Sequence, residues 1–176
     1  MKSLCLKSMI ALFNAWLVFA STPVFAVLSV LEVTGSGTVE TNCTVTLTPG
    51  CTITSSGTAT GTNISNAQFI LRIDTGSPTS FNGNPVSTPQ GVCLPGSFAG
   101  TITAANGDTI EFNHAGMVCE EADPGSPYHY NATYRITGGA GLFTGATGAG
   151  ALTAAFTRPA LGQAGTVFLY IRGIIQ

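Results

Sequence analysis

Bulky or β-branched side chains alternate with small and polar ones along most of the chain after residue 26, and Gly, Pro and Asn separate the alternating stretches. Alternation with a period of two is typical of half-buried β-strands, and the breakers mark turns. Short strands at regular spacing, without helical patterns between them, predict an all-β sandwich or up-and-down barrel. The predicted strands are Leu28–Thr34, Gly37–Thr48, Thr52–Thr60, Ala67–Ile73, Ser97–Ala104, Thr109–Ala115, Tyr128–Thr137, Gly148–Thr157 and Gly165–Ile175.

Two stretches break this rhythm. Asp74–Pro95 contains four prolines among Ser, Thr, Gly and Asn, which predicts a long surface loop, and Ala122–Pro127 is a second Pro-rich loop. Unstructured loops of the first one's length are often functional, although loops also accept insertions at little cost.

The N-terminus has the pattern of a secretory signal peptide. Lys2 and Lys7 precede an apolar run from Met9 to Ala20, and Val24-Phe25-Ala26 places small residues where a signal peptidase reads them. We therefore expect residues 1–26 to be a signal peptide, residues 27–176 to form one β domain, and the protein to be secreted or periplasmic. No later segment is apolar for long enough to span a membrane as a helix.

The charge of residues 27–176 restricts the partners. This part of the chain has four arginines and eight acidic residues, a net charge of about −4. It has no basic patch that could neutralise phosphates, so nucleic acid is not an expected partner.

The four cysteines after residue 26 predict two disulfides in an oxidising compartment. A two-residue hairpin turn at Asn106-Gly107 would bring Cys93 within one residue of direct opposition to Cys119, and a bulge near Pro95 could absorb the mismatch. Cys43 and Cys51 would then close a short loop. Neither spacing resembles a zinc site, so no metal or other cofactor is expected.

A family resemblance lies in the second half of the chain. The run Ile136-Thr-Gly-Gly-Ala-Gly-Leu-Phe-Thr-Gly-Ala-Thr-Gly resembles the glycine hairpin of bacterial secreted proteins related to the allene oxide cyclase and dirigent barrels, and Gly100–Ile110 resembles the hairpin before it. The resemblance implies a closed eight-stranded antiparallel barrel, and a homo-oligomer, since the plant members are often trimers. Ala140 and Leu142 replace a Thr and an Arg of the family hairpin. No catalytic residue can be carried over from the plant enzymes.

The glycine run itself predicts a tight turn. A type I′ turn within Gly138–Gly141 requires at least one residue with positive φ, which glycine adopts without steric penalty.

The two histidines are candidates for acid–base chemistry. His114 has Glu111 nearby, and His129 follows the acidic cluster Glu120, Glu121 and Asp123. The alternative is that both are ordinary hydrogen-bonded or exposed histidines, and that the cluster is a solvated turn, because it lacks the spacing of a calcium loop. Arg72, Glu111 and Arg172 interrupt β-rich segments, and any that pointed inward would be of functional interest.

Tyr128, Tyr130 and Tyr134 share one face of a predicted strand. They could line a ligand cavity in the barrel lumen beneath the Asp74–Pro95 loop, or they could pack the core. The sequence shows no recognisable catalytic set, which favours a secreted, disulfide-linked barrel of binding or structural type. The alternative is an allene oxide cyclase/dirigent-like enzyme or carrier that holds a small apolar or phenolic ligand in its lumen.

Overall fold

The structure, a computed structural model, describes residues 28–43, 47–62, 64–76, 86–88, 91–120, 126–157 and 163–176. The predicted signal peptide lies outside the described residues. The elements are β1 Ser29–Thr41, β2 Thr52–Gly61, β3 Ile64–Thr75, β4 Val86–Thr88, β5 Gly91–Thr103, β6 Thr109–Glu120, β7 Tyr128–Ala140, a single 3-10 turn at Gly141–Phe143, β8 Gly148–Phe156 and β9 Gly165–Ile175.

Eight of the strands close into one antiparallel barrel. They are hydrogen-bonded in the order β3-β2-β1-β9-β8-β7-β6-β5, and β5 returns to pair with β3, as Gln68 does with Thr103. The short β4 adds only to the start of β5. Pairing of β3 with β5 satisfies the backbone groups that an open sheet would leave at its edges. The all-β barrel prediction is confirmed, and the sandwich alternative is not what the chain adopts.

The predicted break between the first two strands, Leu28–Thr34 and Gly37–Thr48, is wrong. Gly35 and Ser36 continue β1 without a turn. Gly35 faces the lumen and lies against the ring of Phe69, and a Cβ at this position would come within 3.0 Å of that ring. Here glycine makes room for an aromatic ring.

The strands also extend into the predicted Asp74–Pro95 loop. β3 runs to Thr75, and β4 and the start of β5 occupy most of the loop's second half. Residues 77–85 and 89–90, like residues 121–125 of the second predicted loop, lie outside the described residues.

The β5–β6 hairpin has a three-residue loop, not the predicted two-residue turn. Ala104 donates from its N to the O of Asp108 at 2.8 Å, and Gly107 closes the turn with a φ of 89°. A type I turn followed by a left-handed glycine is the common three-residue solution. The register consequently shifts by one residue, so Cys93 lies directly opposite Cys119 and no bulge near Pro95 is needed.

The glycine hairpin is likewise wider than predicted. Gly141 has a φ of 64°, which confirms the expected positive φ. However, β7 and β8 are joined by the 3-10 turn and a further turn through Gly145, not by a type I′ turn. The wider connection lets the side chain of Phe143 turn back into the barrel and become buried.

At each end of the barrel, an apolar side chain from outside the strands joins the core. We call the end near the β7–β8 connection the hairpin end, where Phe143 joins the core. At the opposite end, the disulfide end, Leu47 is buried and its backbone N donates to Glu120 Oε2 at 3.2 Å. The disulfides Cys43–Cys51 and Cys93–Cys119 both lie at this second end and link the pairs that the sequence predicted.

Candidate functional site

The three tyrosines point into the barrel, as their alternation predicts. Tyr128, Tyr130 and Tyr134 are 5%, 0% and 3% exposed, and all belong to the main core. The ring of Tyr134 lies against Gly150, and Phe112 meets that ring edge-on at 5.7 Å between centroids. Thus these rings fill part of the space in which a ligand was expected, and their role as ligand-binding residues stays a prediction.

The packing is also tight toward the disulfide end. An enclosed cavity bounded by Leu47, Tyr128 and Phe156 has a volume of about 10 Å³. That volume accommodates one water at most. The predicted lumen site beneath the Asp74–Pro95 loop involves residues outside the described ranges, so the structure does not test it.

His114 is the centre of a polar network inside the core. It is buried, its Nδ1 lies 2.7 Å from the hydroxyl of Tyr130, and that hydroxyl donates to the carbonyl of Gly96 at 3.0 Å. Because the single hydroxyl proton of Tyr130 is donated to Gly96, Nδ1 of the neutral His114 ring carries the hydrogen and donates to the Tyr130 oxygen, which leaves Nε2 as the unprotonated nitrogen. Glu111 points outward on the same strand, so the His–Glu pair suggested by the sequence does not form.

Desolvation dominates the electrostatics of this network. Burial lowers the pKa of His114, raises the pKa of Tyr134 to about 12 and raises the pKa of Tyr130 well above its usual value. Backbone groups of Ala99 and Arg72 oppose the shift of the His114 pKa. These backbone groups do not form regular hydrogen bonds with the imidazole ring, because Nε2 of His114 has no partner among the described residues. The hydroxyl of Tyr134 likewise has none.

The neutral His114 makes stability depend on pH. The pKa of His114 is lower in the folded protein than the value of about 6.5 in the unfolded chain, so below that pH the unfolded chain binds more protons. Above about pH 6.5, titration of His114 does not reduce the free energy of unfolding. Below that pH, the free energy of unfolding declines until the pH reaches the pKa of His114 in the folded protein. One proton gives a slope of at most about 1.4 kcal/mol per pH unit. We expect urea unfolding to show this decline between pH 7 and pH 5, and a His114→Gln variant, which retains hydrogen-bonding groups, to show a flatter profile.

The neighbourhood of His114 holds no compensating charge among the described residues. The titratable groups that face it are Tyr130 and Tyr134; Arg72 projects outward and binds Asp74 at 2.9 Å, and Glu120 lies at the far end of the same strand. His129→Gln is the matched control, because it removes the other histidine from the outward face of β7. Equal pH slopes for the wild type and His114→Gln would contradict the prediction.

The remaining charged candidates do not converge. Arg72, Glu111 and Arg172 all face outward. The amide of Leu47 binds Glu120, while Glu121 and Asp123 lie outside the described residues, so the acidic cluster next to His129 is not fully described. Within the described ranges, no group of three or more His, Cys, Asp or Glu side chains is arranged to hold a metal ion.

Two adjoining apolar grooves open on the outside of the hairpin end. One, of about 380 Å³, lies between the 3-10 turn and the end of β9; the other, of about 480 Å³, lies between the starts of β1 and β8 and the end of β9. Gln176 borders both grooves. Its backbone N donates to the carbonyl of Thr147, and its carbonyl accepts from the backbone N of Thr147, both at 2.9 Å. Around the grooves, large apolar side chains stand in solvent: Leu28, Leu142 and Ile174 are 64%, 74% and 50% exposed.

The sequence pattern did not predict these grooves. One signal was present, because Leu142 puts an apolar side chain on a turn where the resembling family has arginine. The lining residues come from four separate parts of the chain, and only barrel closure brings them together. Arg135 on β7 borders the second groove and has no ion pair among the described residues.

Comparison with known proteins finds no matching family model, curated protein or solved structure. Within the parts of the chain that the structure describes, no helix combines the length and hydropathy needed to cross a membrane.

Proposed function

We propose that this protein is a non-catalytic binding barrel, exported to the periplasm or beyond the cell, that holds a small apolar or phenolic molecule in the grooves at its hairpin end. The observation that carries the proposal is the contrast between a lumen occupied by core side chains and an outer end where Leu142, Leu28 and Ile174 stand exposed around open grooves. Contiguous exposed apolar surface on a soluble domain commonly marks a binding site.

The proposed compartment is supported by the covalent structure. Two disulfides are typical of chains that fold in an oxidising environment. Together with the N-terminal pattern of residues 1–26, they support export. N-terminal sequencing of protein recovered outside the cytoplasm would check this, and a mature N-terminus at Val27 is the expected result.

Membership of the allene oxide cyclase/dirigent-like barrels is part of the same proposal. Its support is the closed eight-stranded antiparallel barrel, the architecture that the hairpin resemblance implies. The implied homo-oligomer remains a prediction, which light scattering coupled to size-exclusion chromatography would measure.

Site-directed variants with a neutral fluorescent dye test the binding site. We expect Nile red to bind saturably, with fluorescence enhancement, and Leu142→Ser and Ile174→Ser to weaken that binding about three- to tenfold, because each removes apolar contact area worth about 1 kcal/mol. Both side chains are solvent-exposed, so the melting temperature of each variant should stay close to that of the wild type.

Ile70→Ser provides the matched control. Ile70 is 58% exposed and faces outward on β3, away from both grooves. Its replacement should leave dye binding unchanged. Failure of Nile red to bind saturably, or equal weakening by Ile70→Ser and Ile174→Ser, would reject the hairpin-end site.

A further inference from the structure

The outer face of β1 and β2, on the opposite side of the sheet from the core, carries a row of uncharged hydroxyl groups. The outward positions of β1 and β2 form three cross-strand hydroxyl pairs, and Thr54 extends the row on β2. We call this surface the hydroxyl face. Its pairs are Thr34–Thr60, Ser36–Thr58 and Thr38–Ser56.

Most of these hydroxyls have no hydrogen-bond partner among the described residues. Thr34 Oγ1 lies 3.5 Å from both the carbonyl and the hydroxyl oxygen of Thr60, at the limit of a hydrogen bond. The hydroxyls of Ser36, Thr38, Ser56 and Thr58 make no hydrogen bond to any other described residue. Each hydroxyl is both a donor and an acceptor, so the face offers a row of unused groups of both kinds.

The hydroxyl face is bordered by aromatic side chains of β9. Phe168 is directly opposite Ser36 and is 67% exposed, and Tyr170 is directly opposite Thr34. The Tyr170 hydroxyl donates to Glu32 Oε1 at 2.7 Å, which holds that carboxylate beside the face and raises the pKa of Tyr170.

Two shallow depressions follow this boundary and share two residues. One, of about 370 Å³, lies against Ser36, Thr58 and Phe168; the other, of about 290 Å³, lies against Glu32 and Gly61. Because Thr34 and Thr60 line both, the two depressions adjoin each other along the β1–β2 pair, and Phe168 of β9 borders the first; we refer to them together as the groove.

We propose that this groove binds a neutral saccharide chain. A sugar ring presents an apolar C–H face, which fits an exposed aromatic ring such as Phe168, and a rim of hydroxyls, which fits groups that both donate and accept. A carboxylate such as Glu32 accepts two sugar hydroxyls in a charge-assisted manner. The proposal is independent of the hairpin-end site.

The charge of the groove selects against other ligands. Glu32 is the one ionisable carboxylate among the residues that line either depression, and neither is lined by a basic side chain. A phosphate- or carboxylate-bearing ligand would meet the Glu32 carboxylate, and the cation beside it, Arg172, is directly opposite Glu32 on β9 and already interacts with Tyr170. A purely apolar ligand would leave the hydroxyls without partners. A neutral polyhydroxylated ligand avoids both costs.

An array of immobilised neutral and acidic oligosaccharides, probed with the labelled protein, is the first experiment. We expect binding to neutral glycans and none to the acidic ones, and calorimetry with the best neutral oligosaccharide would give its affinity. We expect Phe168→Ala to weaken this affinity about tenfold, and Thr58→Val, which removes a hydroxyl without changing the side chain's volume, to weaken it about threefold.

Phe98→Ala is the control, because Phe98 is an outward phenylalanine on β5, four strands from β9 in either direction around the barrel. It should bind the oligosaccharide like the wild type. Absence of neutral-glycan binding, or equal affinities for the wild type and Phe168→Ala, would overturn the proposal. Nile red binding measured on Phe168→Ala keeps the two sites distinct: it should be unchanged whether or not saccharide binding is lost.

Discussion

Replacement of both Cys93 and Cys119 by alanine is expected to lower the free energy of unfolding by about 3.5 kcal/mol. The bridge joins residues 26 apart in sequence, and loss of such a link restores conformational entropy to the unfolded chain in proportion to the logarithm of loop length. The native state loses few of its contacts, because the two residues remain paired opposite each other through the backbone of β5 and β6. Urea unfolding of the oxidised wild type and the double variant measures the difference.

The other bridge provides an internal comparison. Cys43 and Cys51 are 8 residues apart, and the same relation gives about 2.5 kcal/mol for replacing both with alanine. The two double variants should therefore rank by loop length, with Cys93/Cys119 the more damaging. A loss below about 1 kcal/mol for the Cys93/Cys119 variant would show that the link does not constrain the unfolded chain in this way.

Phe112→Ala is expected to have an effect of similar size for a different reason. Phe112 is 3% exposed, and its ring lies so close over Gly100 that a Cβ at that position would collide with it. Removal of the ring leaves a cavity that glycine cannot fill, and a buried Phe→Ala change costs about 3–5 kcal/mol. Chemical denaturation at neutral pH would measure this loss.

The control again uses Phe98. Its side chain faces outward on β5 and is 46% exposed, with the guanidinium of Arg72 4.3 Å above its ring. Phe98→Ala forfeits that contact but opens no internal cavity, so a loss of about 1 kcal/mol or less is expected. Similar losses for the two variants would contradict the inward and outward assignment of these rings.

The alternation along single strands was enough to predict much of the barrel wall. The predicted bounds Gly165–Ile175 are those of β9, and the tyrosine face of β7 is the buried face. Both follow from backbone geometry, because successive side chains of a strand point to opposite sides whatever the strand pairs with. By the same rule His114 and Glu111, three residues apart, are on opposite faces.

Turn geometry was predictable only in part. Asn106-Gly107 correctly marked a turn, yet the loop has three residues, and the glycine hairpin contains the expected positive φ inside a wider connection. The composition of a turn indicates where the chain reverses. The number of residues in it depends on the register that the flanking strands adopt with the rest of the barrel.

The amino-acid sequence by itself determined the strand character of most of the barrel wall, the tyrosine face of β7 and the even set of cysteines, because each depends on neighbouring residues or on composition. Only the tertiary structure decided that Gly35 accommodates a ring, that Phe143 and Leu47 join the core, and that His114 meets Tyr130. The same holds for the outer surfaces. Tyr170 reaches Glu32, 138 residues earlier in the chain, because β1 pairs with β9. Contacts between strands so distant in sequence depend on which strands become neighbours, and barrel closure, not local pattern, determines that order.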